Sequence, residues 1–444
     1  MHNQKGYALL FLLALLSLSV IFVVGGALKN RLQVQGSGGH PEVTARALMQ
    51  AKEALIGFAA TYRDTHPDDS TPKKYPQVFG YLPVPDLGSS RKNNVGCDGE
   101  GCTAGSATGI LQDMTVIGRL PWKTLNLSPL KDEYGECLWY AVSGSHQSAH
   151  HTDIMNWDTV GYLDLYTPNG TASVTGGDTK PHQRPIAVIF SAGPVITNQN
   201  RAKSATDIVD ACGGNYDVRN YLDPYTSGSA TTNLFNWFVG TGVINSSTDP
   251  GTLPPSSPKK LLTGSLKSAD SIPILNDQAA YITADDIFNV IRRRNDFIQP
   301  TLTAMQNCIN TYYTANSSYP DPTYDQYLSG DSLRRGRLPN QCKDPLTPDQ
   351  TATRFDKHFF YMKCANGNSS CLRAYANTPC KAALVFGGAR TSQQSRTTDA
   401  ERNQQSSYLE APALNAYNGN GTDLGGIANF NPASPTTDVV ICFN

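Results

Sequence analysis

The chain has 444 residues, more than one hydrophobic core ordinarily serves, so two or three domains are expected. Its formal net charge of -1 and its 16% of charged residues exclude a broad basic surface for neutralising phosphates, and with it nucleic acid as a partner. Ten cysteines at irregular spacing read as disulfides outside the cytoplasm or as metal ligands and reactive thiols within it, and the N-terminus decides between these.

No charged residue lies between Tyr7 and Leu28. As a helix rising ~1.5 Å per residue, this run would span roughly 33 Å, enough to cross a bilayer core of ~30 Å. A secretory signal has a shorter apolar region followed by its cleavage site, whereas here a polar leader, Met1 to Gly6, comes first. The string Gln4-Lys5-Gly6-Tyr7-Ala8-Leu9-Leu10 resembles the class III leader of type IV prepilins and type II secretion pseudopilins. The resemblance implies cleavage after Gly6 by a prepilin peptidase and N-methylation of Tyr7. It further implies a single-pass protein in the bacterial inner membrane, with its head in the periplasm, that later joins other pilin or pseudopilin subunits in a cell-surface filament. Lys5 on one side competes with Lys29 and Arg31 on the other, so charge does not set the orientation.

Most members of that family carry Glu at the fifth mature position, where this chain has Phe11. In a filament that carboxylate pairs with the terminal ammonium of a neighbouring subunit. Phe11 offers no such pairing and suits the first position at a filament tip, as in the family's tip-located minor pseudopilin. The plainer reading is that Phe11 packs against lipid in an anchor that joins no filament.

Further along, Leu48, Ala51, Leu55, Phe58 and Tyr62 keep helical spacing within Glu42 to Tyr62. Glu136 to Ser143 and Pro185 to Ala192 read as strands, the second buried on both faces. Asn245 to Asp270 is rich in Ser, Pro and Thr and reads as a tether, and Thr226 to Asn233 and Thr391 to Ser407 as polar loops. Thr283 and Asp286 form a capping box ahead of Ile287, Ile291, Ile298, Leu302, Met305, Ile309 and Tyr312, a helical stripe interrupted at Arg294 and expected to kink at Pro300. Landmarks then recur in one order: Gly118-Arg119-Leu120-Pro121 against Gly336-Arg337-Leu338-Pro339, Leu138-Trp139-Tyr140 against Phe359-Phe360-Tyr361, and Ala187-Val188-Ile189-Phe190 against Ala383-Leu384-Val385-Phe386. This order predicts a duplicated helix-plus-sheet unit.

Cys97 and Cys102 bracket a short glycine-containing span and are expected to pair. Cys137 with Cys212 and Cys308 with Cys342 are the next candidates, while Cys364, Cys371, Cys380 and Cys442 are left open by spacing. His146, His150 and His151 are the one histidine cluster, in a stretch that reads as a loop. No cofactor is expected, although Asp98 and Glu100, or Asn418, Asn420 and Asp423, offer oxygens to calcium in tight turns. Gly330-Asp331-Ser332-Leu333 matches the tetrapeptide of GDSL esterases, with Asp356 and His358 as conceivable partners, but the family's C-terminal Asp-x-x-His is absent.

The expected fold is α+β: an N-terminal transmembrane and stem helix followed by two tandem pilin-like heads, each a helix on an antiparallel sheet, stabilised by disulfides. Its divisions are a leader at 1–6, a membrane helix at 7–28, a stem helix and first head at 29–244, a linker at 245–281 and a second head at 282–444. The expected role is that of a non-catalytic minor pilin or pseudopilin, at or near a filament tip, acting in assembly and in contact with a surface ligand. The rival is a single-pass anchored periplasmic enzyme such as a serine esterase.

Overall fold

A computed structural model describes residues 40–65, 79–88, 97, 99–104, 115–148, 155–168, 171–197, 199–203, 209–223, 259–268, 270–326, 332–342, 355–365 and 370–444. Gly6, Tyr7 and Phe11 lie outside the described residues, as does the stretch 226–233.

Helix α1 (Pro41–Thr65) opens on a proline in its first turn, where no intrahelical N–H is required, with Glu42 beside it at the positive end of the helix dipole. Its stripe buries Ala47, Leu48, Ala51, Leu55 and Ala59, and the three alanines let the helix lie close to a sheet. Phe58 and Tyr62 finish the stripe half-buried, Tyr62 standing edge-on to Tyr81 at 5.7 Å between ring centroids. No helix among the described residues is long and apolar enough to cross a membrane. That finding leaves the expected N-terminal transmembrane stem without support: its residues 7–28 lie outside those described, and the first described helix, which is the amphipathic helix expected over Glu42 to Tyr62, carries Arg46, Lys52, Glu53 and Arg63. The α+β architecture stands without it.

Strands β1 (Val116–Arg119), β2 (Trp139–Val142), β3 (Leu163–Tyr166), β4 (Ala187–Ser191), β5 (Lys259–Leu262), β6 (Leu266–Lys267), β7 (Pro273–Leu275) and β8 (Gln278–Ile282) follow. The first sheet runs β1-β2-β4-β8, antiparallel throughout, with β3 paired parallel to β5 and β6 paired to β7 beside it. Strands β5, β6, β7 and β8 thus fall in or at the end of the stretch 245–281 that was expected as a linker, and Ala279, Ala280 and Tyr281 supply the apolar side chains that close the first sheet.

Helix α2 (Ala284–Ile291) starts at the expected capping box, Thr283 with Asp286, and buries Ile287, Phe288 and Ile291. The stripe does not continue through a kink. It stops at Arg292, and α3 (Gln299–Asn316) begins anew with Pro300 in its first turn, the one place in a helix where proline costs nothing. Strands β9 (Thr323–Gln326), β10 (Leu333–Arg337), β11 (Phe359–Cys364), β12 (Leu372–Ala374), β13 (Thr378–Cys380) and β14 (Ala382–Phe386) come next, then the short helices α4 (Asp399–Arg402) and α5 (Ala413–Tyr417) and strand β15 (Val439–Phe443). The second sheet is antiparallel in the order β15-β14-β11-β10-β9, and β12 and β13 form a separate hairpin.

The four strands of the first sheet repeat in register as β10, β11, β14 and β15 of the second, with the third landmark shifted by one from its expected alignment, so that Ile189 corresponds to Leu384 and Phe190 to Val385. Gly118 pairs with Tyr140 and Tyr140 with Ile189, while Gly336 pairs with Tyr361 and Tyr361 with Leu384. The fourth strands also match, Phe190 facing Ala279 as Val385 faces Val440. A side chain at Gly118 would sit 2.5 Å from the Asp86 carbonyl oxygen, so the chain segment running beside β1 requires glycine there.

Each sheet is covered on both faces, which is why its strands read as near-continuous apolar runs. Tyr140, Val142 and Ile189 join α1 on one side, while Trp139, Val188 and Phe190 meet Leu165, Val218 and Tyr221 on the other. In the second unit Tyr361, Leu384 and Ile441 face the side of Leu302 and Met305, and Phe360, Val385 and Val440 pack with Tyr408, Leu409 and Tyr417. The helical faces of both sheets merge into one continuous core.

Candidate functional site

The ten cysteines form five disulfides. Cys97–Cys102, Cys137–Cys212 and Cys308–Cys342 are joined, and the four cysteines left open by spacing pair as Cys364–Cys371 and Cys380–Cys442.

The other motifs singled out in the sequence are not brought together. Ser332 is exposed at the head of β10, where its carbonyl accepts the Ala365 N–H at the far end of β11. His358 immediately precedes β11 at its opposite end. Seven residues of extended chain at ~3.3 Å each separate the two by about 20 Å, far beyond the reach of a nucleophile and its base. A serine-reactive fluorophosphonate probe is accordingly expected to give Ser332→Ala and unmodified protein the same background, and labelling confined to Ser332 would contradict this placement.

Glu100 accepts from the backbone N–H of Ala211 at 2.8 Å and of Cys212 at 2.7 Å, so its carboxylate ties down the disulfide loop. Asp423 accepts from Gly425 N–H at 2.9 Å in a turn, and Asp98 lies outside the described residues. His146 is buried with its Nδ1 2.8 Å from Ser145 Oγ, while His150 and His151 lie outside the described residues. Among the described residues no group of three or more His, Cys, Asp or Glu side chains is arranged to hold a metal ion.

The densest polar arrangement is one that the sequence reading passed over, and it occurs twice. Arg201 donates from Nε to the Asn220 carbonyl at 2.9 Å, from Nη1 to the Gly193 carbonyl at 2.8 Å and from Nη2 to Gln199 Oε1 at 2.7 Å, with its guanidinium 4.9 Å from the Tyr221 ring centroid. Arg396 donates from Nε to the Ser407 carbonyl at 2.5 Å, from Nη1 to the Gly388 carbonyl at 2.9 Å and from Nη2 to Gln394 Oε1 at 3.2 Å, stacking 4.3 Å over Tyr408. The glutamine amides then reach an acid, Gln199 Nε2 to Asp223 at 2.6 Å and Gln394 Nε2 to Glu410 at 2.7 Å. In sequence this is Gly193-x5-Gln199-x-Arg201 with Tyr221-Leu222-Asp223, repeated as Gly388-x5-Gln394-x-Arg396 with Tyr408-Leu409-Glu410. Aligning past the third common strand would have revealed it. Thr391 to Ser407, expected as a loose polar loop, is thus pinned by a fully buried arginine.

The two arginines differ in the acid that neutralises them. Arg201 meets Glu136 of its own unit at 3.2 Å. Arg396 meets Asp158, contributed by the first unit, at 3.1 Å. His358 Nε2 completes this seam, 2.8 Å from Asp158 Oδ2 and accepting the Trp157 indole N–H at 2.9 Å. Burial alone would raise Asp158, but the Arg396 guanidinium overcomes it and holds the carboxyl well below the usual carboxylate range. Burial, helped by Arg396, keeps His358 below the ordinary histidine value despite Asp158, leaving an Asp158–Arg396 ion pair beside a neutral imidazole. Around it Trp157 inserts among Phe297, Phe355 and Phe386 with ring centroids 5.1 to 6.0 Å apart. Chemically the seam is a clamp: every group is sealed from solvent and none can meet a substrate.

No protein-family model matches the chain, and comparison with curated proteins and with solved structures returned no match.

Proposed function

We propose that this chain is a non-catalytic minor component of a type IV pilus or type II secretion filament, placed at or near the tip, where it serves assembly and surface contact. The observation that carries the reading is the string Gln4-Lys5-Gly6-Tyr7-Ala8-Leu9-Leu10, with its glycine at the boundary between a polar leader and an uncharged run. Complete pairing of the cysteines supports display in an oxidising compartment, the periplasm and then the cell surface, because such bonds are not maintained in an ordinary reducing cytoplasm. The burial of the densest polar cluster supports a structural rather than a catalytic use of its charges. Its partners in this reading are a prepilin peptidase at the inner membrane, other pilin or pseudopilin subunits, and a surface ligand.

Mass spectrometry of the protein from its native host tests the proposal. The mature chain is expected to begin at N-methylated Tyr7 and to co-purify with filaments. A chain that begins at Met1 in cells with an active prepilin peptidase, and is absent from fibres, overturns it.

A further inference from the structure

The glutamine of each cradle ends on a second feature that is duplicated, a pair of buried carboxyl groups. In the first unit Asp223 lies against Asp277, the residue before β8. Asp277 Oδ2 accepts the Asp223 N–H at 2.7 Å, and Asp223 Oδ2 accepts the Asn276 N–H at 2.7 Å. In the second unit Glu410 lies against Asp438, the residue before β15. Each of the two acids acts electrostatically on the other inside the buried cradle. The matching register of the two sheets places Asp277 and Asp438 at equivalent positions. Asp277 therefore ties the segment carrying Tyr221-Leu222-Asp223 to the strand that closes its sheet, and Asp438 holds the equivalent position beside Glu410.

We propose that each pair shares one proton, the hydroxyl of one carboxyl donating to the carboxylate of the other, and that loss of this proton loosens the segment it fastens, making the two pairs a pH-operated latch. Charge supports the assignment. The cation facing the first pair is Arg201, already engaged by Glu136, with Asp132 beyond it accepting the Gly193 N–H. The cation facing the second pair is Arg396, already engaged by Asp158, with Arg390 near the other Asp158 oxygen and a neutral His358 alongside. Full ionisation would thus place three carboxylates around one guanidinium in each cradle, in surroundings that screen poorly. One oxygen each of Asp277 and Asp438 has no other hydrogen-bond partner, which leaves room for the shared proton.

Burial pushes Asp223 up to about 7 and Asp438 up to about 8, and raises Asp277 and Glu410 in the same direction, with the neighbouring acid adding to the rise in Asp277 and Asp438. In the unfolded chain these groups titrate near ~4. The folded form therefore binds more protons than the unfolded form from roughly pH 4 up to the folded values. Stability is greatest at the acid end of that window and falls as pH rises through it.

Amide hydrogen exchange on the full-length oxidised protein, corrected for the intrinsic chemical rate, tests the latch. Protection of the Asp223 and Asn276 amides is expected to fall by ~10-fold or more from roughly pH 5 to pH 9, a change equivalent to at least one pKa unit. The Asp277→Asn/Asp438→Asn variant, whose amides mimic protonated carboxyls, is expected to keep its protection across this range. Infrared spectroscopy of the unmodified protein, labelled with isotopic aspartate and glutamate, should show a protonated carboxyl band at neutral pH that disappears in alkali. Absence of that band, or the same pH dependence in the unmodified protein and a folded variant, overturns the proposal. If the variant does not fold, the infrared measurement alone decides.

Discussion

Arg396→Leu is expected to cost about 3–5 kcal/mol of unfolding free energy at neutral pH, because it leaves Asp158 sealed at the seam without its guanidinium. The side chains of both residues are at most 4% exposed, so water cannot take over the lost interaction. The same change also releases the Gly388 and Ser407 carbonyls and removes the stacking on Tyr408. Arg201→Leu provides the internal comparison. Glu136 is 25% exposed and can be rehydrated, so the expected cost is smaller, about 1–3 kcal/mol. Denaturant titration under oxidising conditions measures both, and equal losses at the two sites would show that the seam adds nothing beyond what each cradle does within its own unit.

Removing the Cys137–Cys212 bridge by paired substitution with alanine should be at least as damaging. Its half-cystines are 75 residues apart, so opening the loop restores about 4–5 kcal/mol of chain entropy to the unfolded state. The bridge also holds the loop that Glu100 grips through two backbone N–H groups. Cys97–Cys102 closes a separation of only 5 residues and should yield about 2 kcal/mol by the same reasoning. Thermal unfolding of the two double variants beside the intact protein reads the difference, and a larger loss from the short loop would count against the entropic account.

What was legible in the sequence follows from which forces act locally. The capping box at Thr283 is a contact between residues three apart, and the stripe of α1 is a helical period, so both could be read directly. The repeated strands were legible because burial on both faces forces the same apolar run in each copy. Pro300 misled because proline bends a helix from within but starts one from its first turn, and only the break at Arg292 shows which applies. The stretch 259–281 looked like part of a linker from its Ser and Pro content upstream, yet short strands such as Leu266–Lys267 and Pro273–Leu275 gain their stability from neighbours distant in sequence. The cradle was missed for the related reason that an arginine in a polar segment reads as solvated until tertiary structure buries it, and Arg396 gives no local sign that Asp158 awaits it.

That unequal supply of counter-charge has a consequence for biogenesis. A nascent chain emerges N-terminus first, and domains commonly fold in that order. The earlier unit brings its own Glu136 to Arg201, so its interior can close without help. The later unit must find Asp158 and Trp157 already in position before Arg396 and His358 can be enclosed. One copy of the repeated unit thus acts as the template on which the other matures, and the direction of synthesis presents the template before its client.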